Sequence, residues 1–125
     1  MKFNNDNRFD VDLSYGQIYE KEVADILQYG TIEVKSERDI WANTNNIAIE
    51  FESRGKPSGL QVTQAQFWFH NLVKDGNILA TIFLPVSGLK KYIVKHRPRV
   101  VRGGDDMTSR LFLINLSDFF KNLGK

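Results

Sequence analysis

Two short stretches in the first half of the chain alternate apolar and polar residues, which is the pattern of a half-buried β-strand. They span about residues 31–38 and 46–53. Alternate residues of a strand share a face, so each predicted strand has one charged face. The charged residues are Glu33 and Lys35 on the first strand and Glu50 and Glu52 on the second. If the two strands pair as neighbours, their like charges are costly unless a bound divalent cation compensates them.

The chain before these strands predicts a polar arm and one helix. Residues 1–13 are rich in Asn and Asp, and we expect an arm that ends in a short extended piece. Ser14 and Gln17 have the spacing of a capping box at a helix start, and apolar residues follow at three- and four-residue intervals. Gly30 is expected to end this helix.

Further periodic segments follow the two strands. Thr63 is expected to cap a second helix with Trp68 in its apolar stripe, and residues 78–84 form a continuous apolar run that indicates an interior strand. Residues 87–96 repeat at helical spacing, with lysines on the other side. The remaining predicted elements are a basic extended segment at 97–102, a strand at 110–116 and a helix at 117–123 capped by Ser117.

Together these elements predict a mixed α/β fold in which a small central mixed β-sheet is flanked by helices. A chain of 125 residues is long enough for one hydrophobic core and too short for two. We therefore expect a single domain with an N-terminal arm (1–13), a core (14–84) and a basic C-terminal extension (85–125).

The composition excludes several classes of protein. The chain has no cysteine, which excludes disulfides and thiolate metal sites. No apolar leader segment is visible at the N-terminus, and no apolar run approaches the roughly 20 residues of a membrane-spanning helix. We expect a soluble, intracellular (cytoplasmic) protein without membrane contact.

Charges are distributed unevenly along the chain, although the formal net charge is only +2. Residues 1–55 hold eleven acids and six bases, whereas residues 56–125 hold four acids and eleven bases. A basic second half suits a polyanion such as DNA, which it would contact through phosphates; the alternative is a solubilising face. The candidates for phosphate contact are Arg54, Lys56, Lys90, Lys91, Lys95, Arg97, Arg99 and Arg102.

The Glu33-Val34-Lys35 motif has a use in phosphodiester hydrolysis. A carboxylate can hold Mg²⁺, which polarises a phosphoryl group and activates a bound water. A lysine on the same face can orient that water or stabilise charge on the phosphorus. Taken alone, so short a motif is more often a solvated strand face with an incidental ion pair.

Several further motifs accompany it in a defined order. They are Gly16-x-x-x-Glu20, Asn46-Ile47-x-Ile49-Glu50 and Lys56-Pro57-Ser58-Gly59. With these motifs, residues 14–73 resemble the restriction-endonuclease-like superfamily of PD-(D/E)xK nucleases, in particular its small phage and environmental members. The resemblance implies a restriction-endonuclease-like core and cleavage of DNA that depends on Mg²⁺ or Mn²⁺.

The resemblance also implies roles for particular residues. Glu33 would be a metal ligand, Lys35 the catalytic lysine and Glu20 the acid of the first helix. The chain lacks the Asp that this superfamily usually carries on the strand before Glu-x-Lys. Either Glu50, with or without Glu52, supplies the second carboxylate, or Glu33 takes the Asp position and Glu50-Phe51-Glu52 replaces Glu-x-Lys. The less favoured acids are Glu22, which the helical stripe points inward, Asp25 and Glu52.

Other residues are given no catalytic role by the sequence. His70 is expected to be a packing or surface residue, and His96 is placed with the phosphate contacts. Two isolated histidines without cysteine make a zinc site improbable, and no histidine stands at a recognisable spacing from a serine. Trp68 is assigned to the core, whereas Trp41 is left open between the core and stacking on bases.

The expected function is therefore a small Mg²⁺-dependent endonuclease, phage-encoded if it follows the members that it resembles, acting on branched, nicked or duplex DNA. The alternative is a catalytically inactive nucleic-acid-binding or assembly protein with the same fold. A nuclease of this size that cuts both strands commonly acts as a homodimer, although the sequence indicates no self-complementary surface.

Overall fold

The structure, a computed structural model, describes the backbone of residues 7–125 and the side chains of residues 14–125. The chain divides into two compact units, Met1–Thr31 and Ile32–Lys125, which are described separately. No helix in this part of the chain has the length and apolar character needed to cross a membrane.

The described residues of the first unit form one helix, α1 (Asn7–Tyr29). Its predicted end is confirmed: the Gly30 N–H donates to the Ile26 carbonyl at 2.7 Å, and a Cβ on Gly30 would lie 2.6 Å from that oxygen. Its predicted start is wrong, because residues 7–13 are helical rather than extended and Ser14 lies inside the helix. No Gly or Pro interrupts these residues, so nothing local stops the helix from extending. The rest of the predicted arm, residues 1–6, lies outside the described residues.

The second unit is a mixed α/β structure with two β-sheets. A three-stranded sheet has the order β1 (Ile32–Arg38), β4 (Phe67–Lys74), β5 (Asn77–Pro85), with β1 parallel to β4 and β4 antiparallel to β5. An antiparallel four-stranded sheet has the order β3 (Lys56–Pro57), β2 (Asn46–Ser53), β7 (Ser109–Asn115), β6 (Arg99–Gly103). The fold class is therefore α/β, with two sheets where one central sheet was predicted.

The boundaries of β1 and β2 agree with the prediction within one residue, but the two strands do not pair with each other. Alternation identifies a strand from its own residues, whereas the choice of partner depends on distant segments. The two strands are still linked, because the Glu37 carboxylate on β1 accepts the backbone N–H of Ala48 on β2 at 2.6 Å. Between them the chain forms a short helix, α2 (Trp41–Thr44).

Strand β4 lies where the second helix was predicted. Its buried residues alternate, Trp68, His70 and Leu72, and the strand is rich in aromatic and branched side chains that favour a pleated surface. Trp68 and Leu72 are four residues apart, a spacing that places them on one face of a helix and also on one face of a strand. Thr63 does not cap a helix; its hydroxyl accepts the N–H of Ala65 in a local turn.

Strand β5 coincides with the predicted apolar strand but is not interior. It is one of the two edge strands of the three-stranded sheet, and Ile78 and Leu79 are 61% and 60% exposed. A continuous apolar run predicts burial on both faces only if elements cover both faces.

Two helices complete the second unit, α3 (Val86–His96) and α4 (Leu116–Asn122), and both lie where helices were predicted. The cap of α4 is Asn115 rather than Ser117, because the Asn115 side chain accepts the N–H of Asp118 at 3.0 Å. The basic extended segment becomes β6, and the last predicted strand becomes β7. The buried core contains Ile47, Ile49, Leu60, Trp68, Leu72, Leu84, Val86, Leu89, Tyr92, Ile93, Ile114, Leu116 and Phe119.

Candidate functional site

A cavity of about 180 Å³ lies where the two sheets of the second unit approach each other. Four strands contribute to it: β1 and β4 from one sheet, β2 and β7 from the other. Its lining residues are Lys35, Ser36, Glu37, Ala48, Glu50, Trp68, His70 and Leu111. Two acidic residues and one lysine therefore line the same small cavity as the buried His70.

Glu50 enters this cavity from β2, just before a register shift in that strand. Both of its carboxylate oxygens are held: Oε2 accepts the Ser58 hydroxyl at 3.0 Å, and Oε1 accepts the Ser109 hydroxyl at 2.7 Å. Neutral hydroxyl donors orient the carboxylate without cancelling its charge.

The loop that carries Ser58 approaches β2 unusually closely. Gly59 has φ +49°, and a Cβ at this position would lie 2.2 Å from the Glu50 carbonyl oxygen. Only glycine suits a left-handed conformation with so little space. The Ser58 N–H also donates to the Phe51 carbonyl at 3.0 Å. The Pro57-Ser58-Gly59 segment of the sequence motif therefore has a structural role: it holds the Ser58 hydroxyl within hydrogen-bonding distance of Glu50.

Glu37 lines the cavity from β1, and one of its carboxylate oxygens has two hydrogen-bond partners. Oε1 accepts the Ala48 N–H at 2.6 Å and lies 3.0 Å from His70 Nε2. On its other side the His70 ring receives a hydrogen bond from Trp68 Nε1 at 3.1 Å. The sequence pattern gives Glu37 no role and predicts that His70 is a packing or surface residue.

Lys35 is two residues before Glu37 on β1 and directly opposite His70 in the parallel register. Its side chain is exposed, and it has no ion-pair partner among the residues that the structure describes. A cation beside two carboxylates, without a fixed partner, is free to contact an anionic ligand.

The structure separates the acids that the sequence grouped together. Glu50 and Lys35 share the cavity, as expected. Glu33 lies on β1 opposite Trp68 but does not line the cavity. Glu52 is engaged elsewhere, 3.6 Å from Arg110 Nη1. The role of Glu33 as a ligand stays a prediction from the family resemblance.

The acids of the first helix belong to the other unit. Glu20, Glu22 and Asp25 are exposed on α1, and Asp25 forms an ion pair with Lys21 at 2.8 Å. Their proposed roles at the metal site stay predictions from the resemblance and the helical pattern.

The donors of the cavity suit a small hard cation in type and number. Mg²⁺ is usually held by one or two carboxylates, with water and phosphate oxygens completing its coordination. Glu37 and Glu50 supply two carboxylates, and Glu37 Oε2 accepts no hydrogen bond from the residues that the structure describes. Within those residues no group of three or more acidic, histidine or cysteine side chains is arranged to hold a metal.

A second cavity, of about 370 Å³, is also lined by Glu50. Its lining combines Arg54, serine and threonine hydroxyls and the Asp105 segment, and Lys56 lies nearby in β3. Arg54, Lys56 and the hydroxyls can contact a phosphate backbone, whereas the Asp105 and Glu50 carboxylates cannot.

The other predicted phosphate contacts lie on α3 and β6. Lys90, Lys91 and Lys95 are exposed on α3, and Arg97, Arg99 and Arg102 are exposed at its end and on β6. The three lysines line a larger cavity of about 720 Å³ between α3 and the C-terminal residues. No Asp or Glu among the described residues lines that cavity, so it offers no side-chain carboxylate as a ligand for a metal ion.

Three remaining predictions concern single aromatic residues. Trp68 is in the core, as predicted. Trp41 packs against the core from α2 and donates its indole N–H to the Val73 carbonyl at 2.8 Å, so its ring serves packing. The His96 ring contacts the Tyr92 ring in a tilted arrangement, with centroids 4.8 Å apart and an interplanar angle of 33°.

Glu37 and His70 were missed for different reasons. Glu37 has the same strand parity as Glu33 and Lys35, so alternation alone could have placed it on the charged face. No local signal identifies His70, because its role depends on β4 being a strand beside β1.

No protein-family model, curated protein or solved structure matches this chain.

Proposed function

We propose that this protein is a metal-dependent endonuclease that hydrolyses DNA phosphodiester bonds. The observation that carries the proposal is the meeting of Glu37, Glu50 and Lys35 in one cavity between the two sheets. The motifs of the sequence support the same chemistry independently.

The two carboxylates would hold the metal ion, Mg²⁺ or Mn²⁺. Their oxygens are hard ligands of the kind that these cations prefer. When bound, such an ion polarises the phosphoryl group and makes a coordinated water more acidic. Glu33 is the ligand implied by the family resemblance, and Glu37 is the one that the cavity favours.

Lys35 would stabilise the negative charge that develops on the phosphoryl oxygens as water attacks phosphorus and the ester bond breaks. Its ammonium is exposed and unpaired within the described residues, so it can reach a phosphate without first breaking an ion pair. Ser58 and Ser109 keep Glu50 oriented throughout.

The basic residues beyond the cavity would bind the flanking DNA. Arg54 lies beside Glu50, while the lysines of α3 and the arginines of β6 present further positive charge. Contacts of this kind release counterions, so the affinity should fall steeply as salt rises.

Incubation with supercoiled plasmid and branched DNA tests the proposal. We expect cleavage with Mg²⁺ or Mn²⁺ and none with chelator. Glu50→Gln and Lys35→Met should each lower the rate by about 100-fold or more, because Glu50 would hold the metal ion and Lys35 would stabilise charge on the reacting phosphate. Undiminished cleavage by either variant would contradict the proposed site.

A matched pair of variants on one strand decides the second ligand. Glu37→Gln should abolish most cleavage, whereas Glu33→Gln should retain it, because only Glu37 lines the cavity. The reverse result would assign the metal to Glu33. Glu52→Gln serves as a control, since Glu52 already has a partner in Arg110.

The same experiments distinguish the alternative, a binding protein without activity. DNA binding with a strong salt dependence, but without cleavage under any metal, would replace the nuclease proposal with that function.

A further inference from the structure

The Glu37 carboxylate is linked to the core through two aromatic side chains. Trp68 Nε1–H donates to His70 Nδ1 at 3.1 Å, and His70 Nε2 lies 3.0 Å from Glu37 Oε1. Trp68 and His70 are each only 1% exposed. The hydrogen bond between these two rings is therefore shielded from solvent, whereas the Glu37 side chain is 20% exposed.

The direction of these hydrogen bonds follows from the indole. An indole N–H can only donate, so His70 Nδ1 must accept and carry no proton. The ring proton is then on Nε2, which donates to Glu37. Trp68 thus selects the tautomer of His70, and the contact with Glu37 is a hydrogen bond from a neutral ring rather than an ion pair.

The same carboxylate oxygen has a second donor from the backbone of the other sheet. The Ala48 N–H reaches Oε1 at 2.6 Å, so two donors from β4 and β2 converge on one oxygen. Oε2 is left without a hydrogen-bond partner among the described residues. Two convergent donors on one oxygen define the plane and the rotamer of the carboxylate.

We propose that His70 is a positioning residue that orients Glu37, so that its Oε2 stays available as a metal ligand. The proposal rests on the metal-dependent function proposed above and adds a residue that does not itself touch metal or DNA. Hydrogen-bonding partners of metal ligands typically change metal affinity by about 10- to 100-fold when they are removed.

Two amide substitutions separate positioning from simple packing. The amide of His70→Gln can reach the place of Nε2 and donate to Glu37. The amide of His70→Asn reaches only the place of Nδ1, so it keeps an acceptor for Trp68 and loses the bond to Glu37. Both variants put a polar amide into the same buried site, and thermal unfolding and far-UV circular dichroism show whether each retains the fold.

Two readouts on these variants test the proposal without DNA cleavage. Binding of Mn²⁺, followed by the electron paramagnetic resonance of the free ion, should weaken about 10-fold or more in His70→Asn and stay within about threefold of the original protein in His70→Gln. Side-chain NMR couplings of Glu37 in metal-free protein should show one rotamer in the original chain and in His70→Gln, and averaging in His70→Asn. Equal Glu37 order in both variants would overturn the proposal.

A third measurement needs no variant and so cannot fail through misfolding. The ¹⁵N shifts of His70 should report a proton on Nε2 and none on Nδ1; the opposite tautomer would overturn the proposal. If the original protein binds no Mn²⁺, the metal site itself fails. The Glu37 couplings then still decide whether His70 orients the carboxylate.

Discussion

Glu33, Lys35 and Glu37 occupy alternate positions of one strand, yet each has different surroundings. Glu37 accepts hydrogen bonds from β2 and β4, Lys35 is exposed beside the cavity, and Glu33 lies outside it. Alternation predicts their shared face from local geometry. It cannot predict these differences, because the partners come from segments 11 and 33 residues further along the chain.

Gly59 is a residue whose replacement should weaken the fold next to the site. In Gly59→Ala the new Cβ meets the Glu50 carbonyl at 2.2 Å in a left-handed conformation, so the loop must move. We expect a loss of unfolding free energy of about 2 kcal/mol or more, because strain and displacement add. Urea unfolding measures it.

The neighbouring turn offers a matched control for that substitution. Gly55 also has a positive φ, +76°, but a Cβ there meets no atom within 4 Å. Gly55→Ala should cost only the conformational term, about 1 kcal/mol. Equal losses in the two variants would show that the close approach of Gly59 to Glu50 is unimportant.

The predicted secondary-structure elements agree with the structure where the local pattern is compatible with only one type of element. Helix α3 and strands β6 and β7 lie close to their predicted positions. The local pattern predicts a helix at β4, whereas pairing with β1 and β5 makes it a strand. Aromatic enrichment was the signal for a strand.

The residue that caps α4 is Asn115 in the structure, whereas the sequence predicts Ser117. Asn115→Ala should lower the unfolding free energy by about 1 kcal/mol, because the Asp118 N–H loses its acceptor. Chemical denaturation gives the difference. Asn115→Asp keeps a cap and should retain most of the stability.

Ser117→Ala is the decisive comparison for this cap. Ser117 lies inside α4 and accepts a hydrogen bond from Asn45 on the surface. Ser117→Ala should therefore lower the unfolding free energy by less than Asn115→Ala does. A larger loss for Ser117→Ala would restore the capping role that the sequence suggested.

At the scale of the whole second unit, a buried tyrosine couples stability to alkaline pH. The Tyr92 hydroxyl on α3 donates to the Asp118 carboxylate on α4 at 2.5 Å. Burial first, and then the hydrogen bond and charge of Asp118, raise the pKa of Tyr92 well above its ordinary value. The folded state therefore retains a proton that the unfolded chain releases near pH 10 (roughly the ordinary tyrosine value).

Stability should consequently fall as pH rises above about 10, because there the unfolded chain binds fewer protons than the folded protein. Below that pH the contribution of Tyr92 is fully present. Urea unfolding between pH 8 and pH 11 should show the unfolding free energy falling more steeply in the unsubstituted protein than in Tyr92→Phe. The two slopes should differ by an amount that corresponds to about one bound proton. Parallel declines would contradict the raised pKa.

Some features of this protein were determined by the sequence alone. The α/β class, the strand character of β1 and β2, and the charged face with Lys35 follow from local periodicity and composition. The uneven charge and the Lys56-Pro57-Ser58-Gly59 motif also pointed to the loop beside Glu50. These features depend on residues close together in the chain, where alternation and turn chemistry act.

Only the tertiary structure decided which strands pair and which acids share a cavity. It placed β1 and β2 in different sheets, brought Glu37 rather than Glu33 to the cavity with Glu50, and set His70 behind Glu37. Strand pairing and side-chain environment depend on packing and hydrogen bonding between distant segments. One local pattern is compatible with several such arrangements, so it cannot select among them.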